Sequence, residues 1–328
     1  MHRNSLVLIA ALLGTPCAAH AADAPASAQQ APVQRAQFAY HSAFLMNLHH
    51  FLFNLATHPS ELEPLLQKTR ATPREGAVLR MAVAFYRTNY AQRDLLFDET
   101  MAVIKRALSV DDNRRDPNGL ALPDGLPAVL KAAGPAYARL AWADDDAANR
   151  AWIVVAREFD GRYGAAVQAA VEHGLGAGFP RAPVRIDLVR ETGKRQGAYT
   201  DTQVVIPAGR PSYQGLASME MLYHEAAHVQ TSSALEASIE ARLKAAGRPT
   251  DSELWHVLHF YTVGAAVAAA VKSDGVAYEP YADRVGLFKT YWAAYVPLIE
   301  ADWAPWLAGR EKMEEALDHM VGRLPEGL

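Results

Sequence analysis

Cysteine is almost missing from this chain: one residue in 328, Cys17. It falls within residues 1–21, where a basic start (MHRN), an apolar run (LVLIAALLG) and a small-residue ending at Ala19-x-Ala21 read as a secretory signal peptide cleaved near Ala21. Gly14-Thr15-Pro16 before that cysteine does not resemble the run that precedes a lipidated one. With the leader removed no cysteine remains, which excludes a disulfide framework and a thiolate metal site. Any metal then depends on His, Asp or Glu. A basic excess is missing too. Lys+Arg number 32 against 36 Asp+Glu, a formal charge of -4, which argues against a nucleic-acid partner. Later apolar runs are short; VGAAVAAAV, Val263 to Val271, is alanine-dominated and falls below the length of a membrane span. These absences predict a soluble, periplasmic or secreted protein without a membrane span.

With 50% hydrophobic and 21% charged residues, the chain has material for one substantial core or two modest ones. Residues 22–37 are small, polar and proline-bearing, as in a disordered leader. Residues 38–180 read as a helical region. FAYHSAFLMNLHHFLFNLA carries a helical pattern from Phe38, a further helix begins at Pro73, and turn residues make a loop of Asp111 to Gly125. Asp144-Asp145-Asp146 suits a helix start, and His49-His50, about 100° apart on a helix, suit packing or a cleft wall rather than one shared ion. At Pro180 the pattern changes. Val184 to Glu191 and Ala198 to Gly209 read as the two strands, and helices return from Ser212. The expected fold is mainly α with a small β-sheet (α+β), residues 181–328 forming the region that carries the chemistry.

That chemistry centres on LASMEMLYHEAAHVQ, residues 216 to 230, a run without proline or glycine that predicts a helix, with Ser218 placed to cap its start. His224 and His228, four apart, share one helix face and are able to share one cation; Glu225 lies about 100° round, beside such an ion. With 12 His in 328 residues, random placement gives only ~0.02 matches to His-Glu-x-x-His. A catalytic zinc keeps three protein ligands and one place for water, whose pKa falls from ~15.7 towards ~7. A neighbouring carboxylate then takes the proton and passes it to the leaving group.

HEAAH at 224–228, preceded by a strand ending at Ile206-Pro207, resembles the zincin metallopeptidases, over roughly residues 184 to 272. The resemblance implies Zn2+ held by His224 and His228, Glu225 as general base, and an edge strand at Gln203, Val204, Val205 and Ile206 that pairs with an extended peptide or protein substrate. The tight spacing with a histidine six residues after the motif fails, because residue 234 is alanine, so the third ligand comes from a later helix as in the glutamate-using branch. Glu253 and His256 compete for it. Thr250-x-x-Glu253 forms a ready capping box, which accounts for the glutamate, whereas His256 amid Trp255, Val257 and Leu258 needs partners for its nitrogens. His259 reads as a core-edge histidine. Tyr261 and Tyr199 are candidate donors to an oxyanion, and Glu220, one turn before His224, either orients that ring or faces solvent. The expected function is a periplasmic or secreted zinc metallopeptidase; the alternative is a non-catalytic helical envelope protein that binds zinc or a partner.

Overall fold

Helical sequence lies on both sides of a small sheet, and the sheet is where the two halves of the chain meet. The computed structural model describes residues 35–193, 197–201 and 203–325. The expected signal peptide, and residues 22–34 of the expected leader, fall outside them. Residues 35–37 of that leader are anchored: Arg35 donates to Asp160, and the Ala36 N–H donates to Gln168 Oε1 at 2.8 Å. As expected, the described chain is mainly α with one small sheet.

The first half supplies α1 (Phe44–Thr57), α2 (Leu62–Lys68), α3 (Pro73–Asn89), α4 (Glu99–Leu108) and α5 (Leu126–Tyr137). Local chemistry sets several of these boundaries. Thr72 and Glu75 form a reciprocal capping box with Pro73 in the first turn of α3, and Asp98 caps α4. The three aspartates fall in the first turn of α6, as expected, but that turn is not a free helix end. α5 runs through one π turn, Ala138–Trp142, directly into α6 (Ala143–Leu175), and buried Asp145 accepts a hydrogen bond from Tyr137 Oη at 2.9 Å.

Four strands are present among the described residues where two were expected. β1 (Phe38–His41) replaces the expected start of the first helix, β2 is Val184–Val189, and the second expected strand divides into β3 (Tyr199–Thr200) and β4 (Val204–Pro207). The sheet order is β1-β2-β4-β3, with β1 parallel to β2, β2 parallel to β4, and β3 antiparallel to β4. β1 thus pairs across the expected boundary at 180, and residues from Arg35 onward form one compact unit. The placement of β4 also overturns the expected edge strand: Val204 and Val205 pair with β2 on one side and β3 on the other, Ile206 pairs with β2, all three are buried, and Gln203 just before them donates to Ser109 Oγ.

Alternation along the strands builds a layer on each face. Ile186, Leu188, Val204 and Ile206 join the apolar cluster of the second half, while Val189, Tyr199 and Val205 join that of α1–α5. The second half consists of α7 (Leu216–His228), α8 (Thr231–Ala245), α9 (Leu254–Lys272), short helical turns from Tyr281 to Leu307, and a closing helix, Met313–Arg323. α9 is longer than its alanine-rich centre suggested; with a mean hydropathy of 1.5 it is long and apolar enough by length and composition to cross a membrane. Here it packs against α6, α7 and α8. Leu254, Val257, Leu258, Val263, Val267 and Val271 are fully buried, worth roughly 1.5–3 kcal/mol each, or on the order of 10 kcal/mol together. Gly174 permits this approach of α6, since a Cβ there would lie 2.4 Å from Thr262 Cγ2.

Candidate metal centre

α7 begins at Leu216 because Gly215, with φ +61°, ψ −136°, adopts a backbone conformation that side-chain-bearing residues avoid. Ser218 does not cap it; its hydroxyl donates to the Gly215 carbonyl at 2.7 Å. All residues from Ala217 to Ala227 are buried, so α7 is a central helix, and its polar side chains need partners.

His224 and His228 meet as the motif requires: their Nε2 atoms are 3.2 Å apart. Two nitrogens on one tetrahedral zinc at 2.0–2.1 Å stand roughly 3.3 Å apart. The third imidazole is His259 of α9, not His256. One nitrogen from each of His224, His228 and His259 lies within 4.8 Å of the other two. His259 is fully buried, and its Nε2 donates to the His224 carbonyl at 3.1 Å. A carbonyl only accepts, so the ring proton is on Nε2 and the lone pair on Nδ1. That Nδ1, and Nδ1 of His224, are buried with no hydrogen-bond partner. The free lone pair of His259 Nδ1 beside the two converging rings fits a cation ligand, whereas His224 Nδ1 points away from the ion that its Nε2 would share with His228 and is a ring N–H without an acceptor. Burial, reinforced by the neighbouring histidines, drives His224 and His259 well below the usual imidazole range, and His228 to about 3. All three are therefore neutral at physiological pH, the form that binds metal.

Glu225 lies beside this group. Thr200 of β3 donates to its Oε2 at 2.7 Å, which fixes the carboxylate between helix and sheet. Burial pushes its pKa up to about 8, against the pull of that hydrogen bond; an adjacent cation favours the ionised form. Neither Thr200 nor His259 was expected. The signal for His259 was its place in the stripe His259, Val263, Val267, Val271, four apart and buried throughout. Thr200 left no local sign.

The remaining expectations sort by geometry. His256 is half-buried just outside the tight group, its ring centroid 5.7 Å from that of His224 and 5.3 Å from that of His228. Glu253 is exposed, precedes the first residue of α9 and accepts from Trp292 Nε1 at 3.0 Å. It is neither ligand nor part of a Thr250 capping box. Tyr199 faces the opposite layer, where its hydroxyl donates to His50 Nε2 at 2.7 Å, so it is no oxyanion donor. Tyr261 packs edge-on against Phe288 and makes no ring contact with the imidazoles among the described residues. Glu220 neither orients His224 nor meets solvent: it is fully buried and accepts from the Tyr278 hydroxyl and, at 2.9 Å, from the Tyr281 N–H. His49 and His50 are packing residues, as expected: His49 Nδ1 shares a hydrogen bond with Tyr86 Oη, and His50 Nδ1 donates to the Met46 carbonyl. A second group, Asp302, Glu311 and His319, lies near the C-terminus, where the Arg323 guanidinium already contacts Asp302.

Comparison with protein-family models, with curated proteins and with solved structures finds no match for this chain, so the functional reading stands on its own side chains.

Proposed function

We propose that the protein is a zinc-dependent hydrolase of the His-Glu-x-x-His type, with peptide or protein substrates. The observation that carries the reading is the convergence of three neutral imidazoles, two buried and one half-buried, with the unpartnered Nδ1 of His259 among them and a buried glutamate next in sequence to His224. His224, His228 and His259 hold the ion. When bound, zinc supplies a water whose pKa lies near ~7 and polarises the scissile carbonyl. Glu225 takes the proton of the attacking water on its carboxylate and returns it to the departing amine. Thr200 keeps that carboxylate turned for both transfers, and the apolar packing around α7 and α9 keeps bulk water from competing. The N-terminal pattern of residues 1–21 supports a periplasmic or secreted location.

A second reading, a non-catalytic zinc site, is favoured by one observation. His224, Glu225 and His259 are 2%, 5% and 0% exposed, and β4, the strand expected to hold substrate, is interior. The discriminating experiment measures zinc content and hydrolysis of a mixed peptide library for the wild type and Glu225→Gln. Zinc retained with hydrolysis lost supports the first reading. Zinc retained by a wild type that cleaves nothing supports the second, and full hydrolysis by the variant removes Glu225 from the chemistry.

A further inference from the structure

His256 is the residue that the tight three-histidine group leaves over, and its surroundings are unusual for a spare histidine. It occupies the first turn of α9, one turn before His259. Neither of its ring nitrogens has a hydrogen-bond partner among the described residues. Its contacts are aromatic: Trp255 at 5.0 Å, Phe260 at 5.0 Å and Trp292 at 5.9 Å between ring centroids. Trp292 is itself held by its bond to Glu253. The neighbouring rings and the charge of Glu253 thus surround this imidazole without a hydrogen bond to fix either nitrogen.

The four rings together have the dimensions of one coordination sphere. Their six centroid separations run from 4.2 Å, between His228 and His259, to 6.3 Å, between His256 and His259. Four imidazoles on a tetrahedral zinc at 2.0–2.1 Å place their centroids roughly 5.2 Å apart, in the middle of that range. The two longest separations both involve His256. The fourth vertex is thus present but displaced. It also faces outward: His224 and His259 are buried, while His228 and His256 are half-buried.

We infer that His256 is a fourth, exchangeable zinc ligand, which closes the site as a four-imidazole centre and leaves the ion to admit water or a small anion. The inference rests on the zinc reading above. It makes the first turn of α9 the element that opens the site, while His259, a turn further in, keeps the ion.

The test uses cobalt(II) as a visible probe in the full chain. Cobalt affinity is measured by chelator competition, and the visible spectrum is followed during an azide titration, for the wild type and His256→Ala. His256→Phe, which keeps the aromatic contacts, serves if alanine disrupts the fold as judged by circular dichroism. The expected result is affinity about tenfold or more weaker in the variant, with azide changing its spectrum at a concentration at least about tenfold lower than for the wild type. Equal affinities and superimposable azide titrations overturn the inference while leaving the zinc reading standing. A wild type that binds neither cobalt nor zinc overturns the zinc reading itself, and the inference with it.

Discussion

Glu220 offers a prediction whose size follows from its surroundings. Its carboxyl is buried on α7 against α9, with Oε1 only 3.2 Å from where a Cβ on Gly264 would sit. Burial is the main cause that pushes its pKa up to about 7 from the ordinary 4.5; the donors Tyr278 and Tyr281 pull the other way. The folded pKa is therefore above the unfolded one. The stabilising contribution is complete below pH 4.5 and is lost as pH rises towards 7, because the folded state must release a proton that the unfolded state has already lost. A displacement of that size corresponds to about 3 kcal/mol across the window, at 1.36 kcal/mol per pH unit. Glu220→Gln keeps an acceptor for the same donors and removes the titration. Urea unfolding at pH 5 and pH 7 is then expected to show a wild-type loss of stability larger than that of the variant by about 2–3 kcal/mol. Other titrating groups, Asp145 among them, are common to both proteins and cancel in the difference. Identical pH dependence in the two proteins would refute the burial argument.

Two further substitutions test how the sheet divides its duties. Tyr199→Phe leaves His50 Nε2 buried without its donor and is expected to cost about 1–3 kcal/mol of stability. Peptide hydrolysis under conditions where the variant is folded should stay at the wild-type rate; a selective fall in kcat would return Tyr199 to the oxyanion. Thr200→Val removes the hydroxyl that holds Glu225. The expected result is unchanged zinc content with kcat lowered about tenfold or more, and an unaltered kcat would show that the hydroxyl does not position the base.

What the sequence revealed and what it hid divide by range. α7 and the paired imidazoles of His224 and His228 were readable because helix periodicity is local: four residues make one turn, and nothing distant alters that. The strand at Val184–Val189 was readable for the same reason, its alternation being intrinsic to the segment. β1 was not, since FAYH continues without a break into the apolar pattern of α1 and becomes a strand only by pairing with residues 184–187. Whether β4 was an edge or an interior strand depended on those same distant pairings. The third imidazole shows the limit most sharply. His256 was chosen because it sits among aromatic residues, and His259 was set aside as a packing residue. The deciding quantity was the rotation of α9 against α7, which comes from packing of the whole second half, including the close approach of Gly174 to Thr262. Glu253 drew attention as a carboxylate near the site, and only the position of Trp292 shows it to be engaged elsewhere.

The central claim, that His224, His228 and His259 share one ion, is tested most directly by X-ray absorption at the zinc edge on the purified full chain, beside the same measurement on His259→Leu. The account predicts about one zinc per wild-type chain, with at least three imidazole nitrogens at 2.0–2.1 Å, and loss of that zinc in the variant. A wild type that retains no zinc after equilibration, or a variant that keeps an unchanged coordination shell, would contradict it.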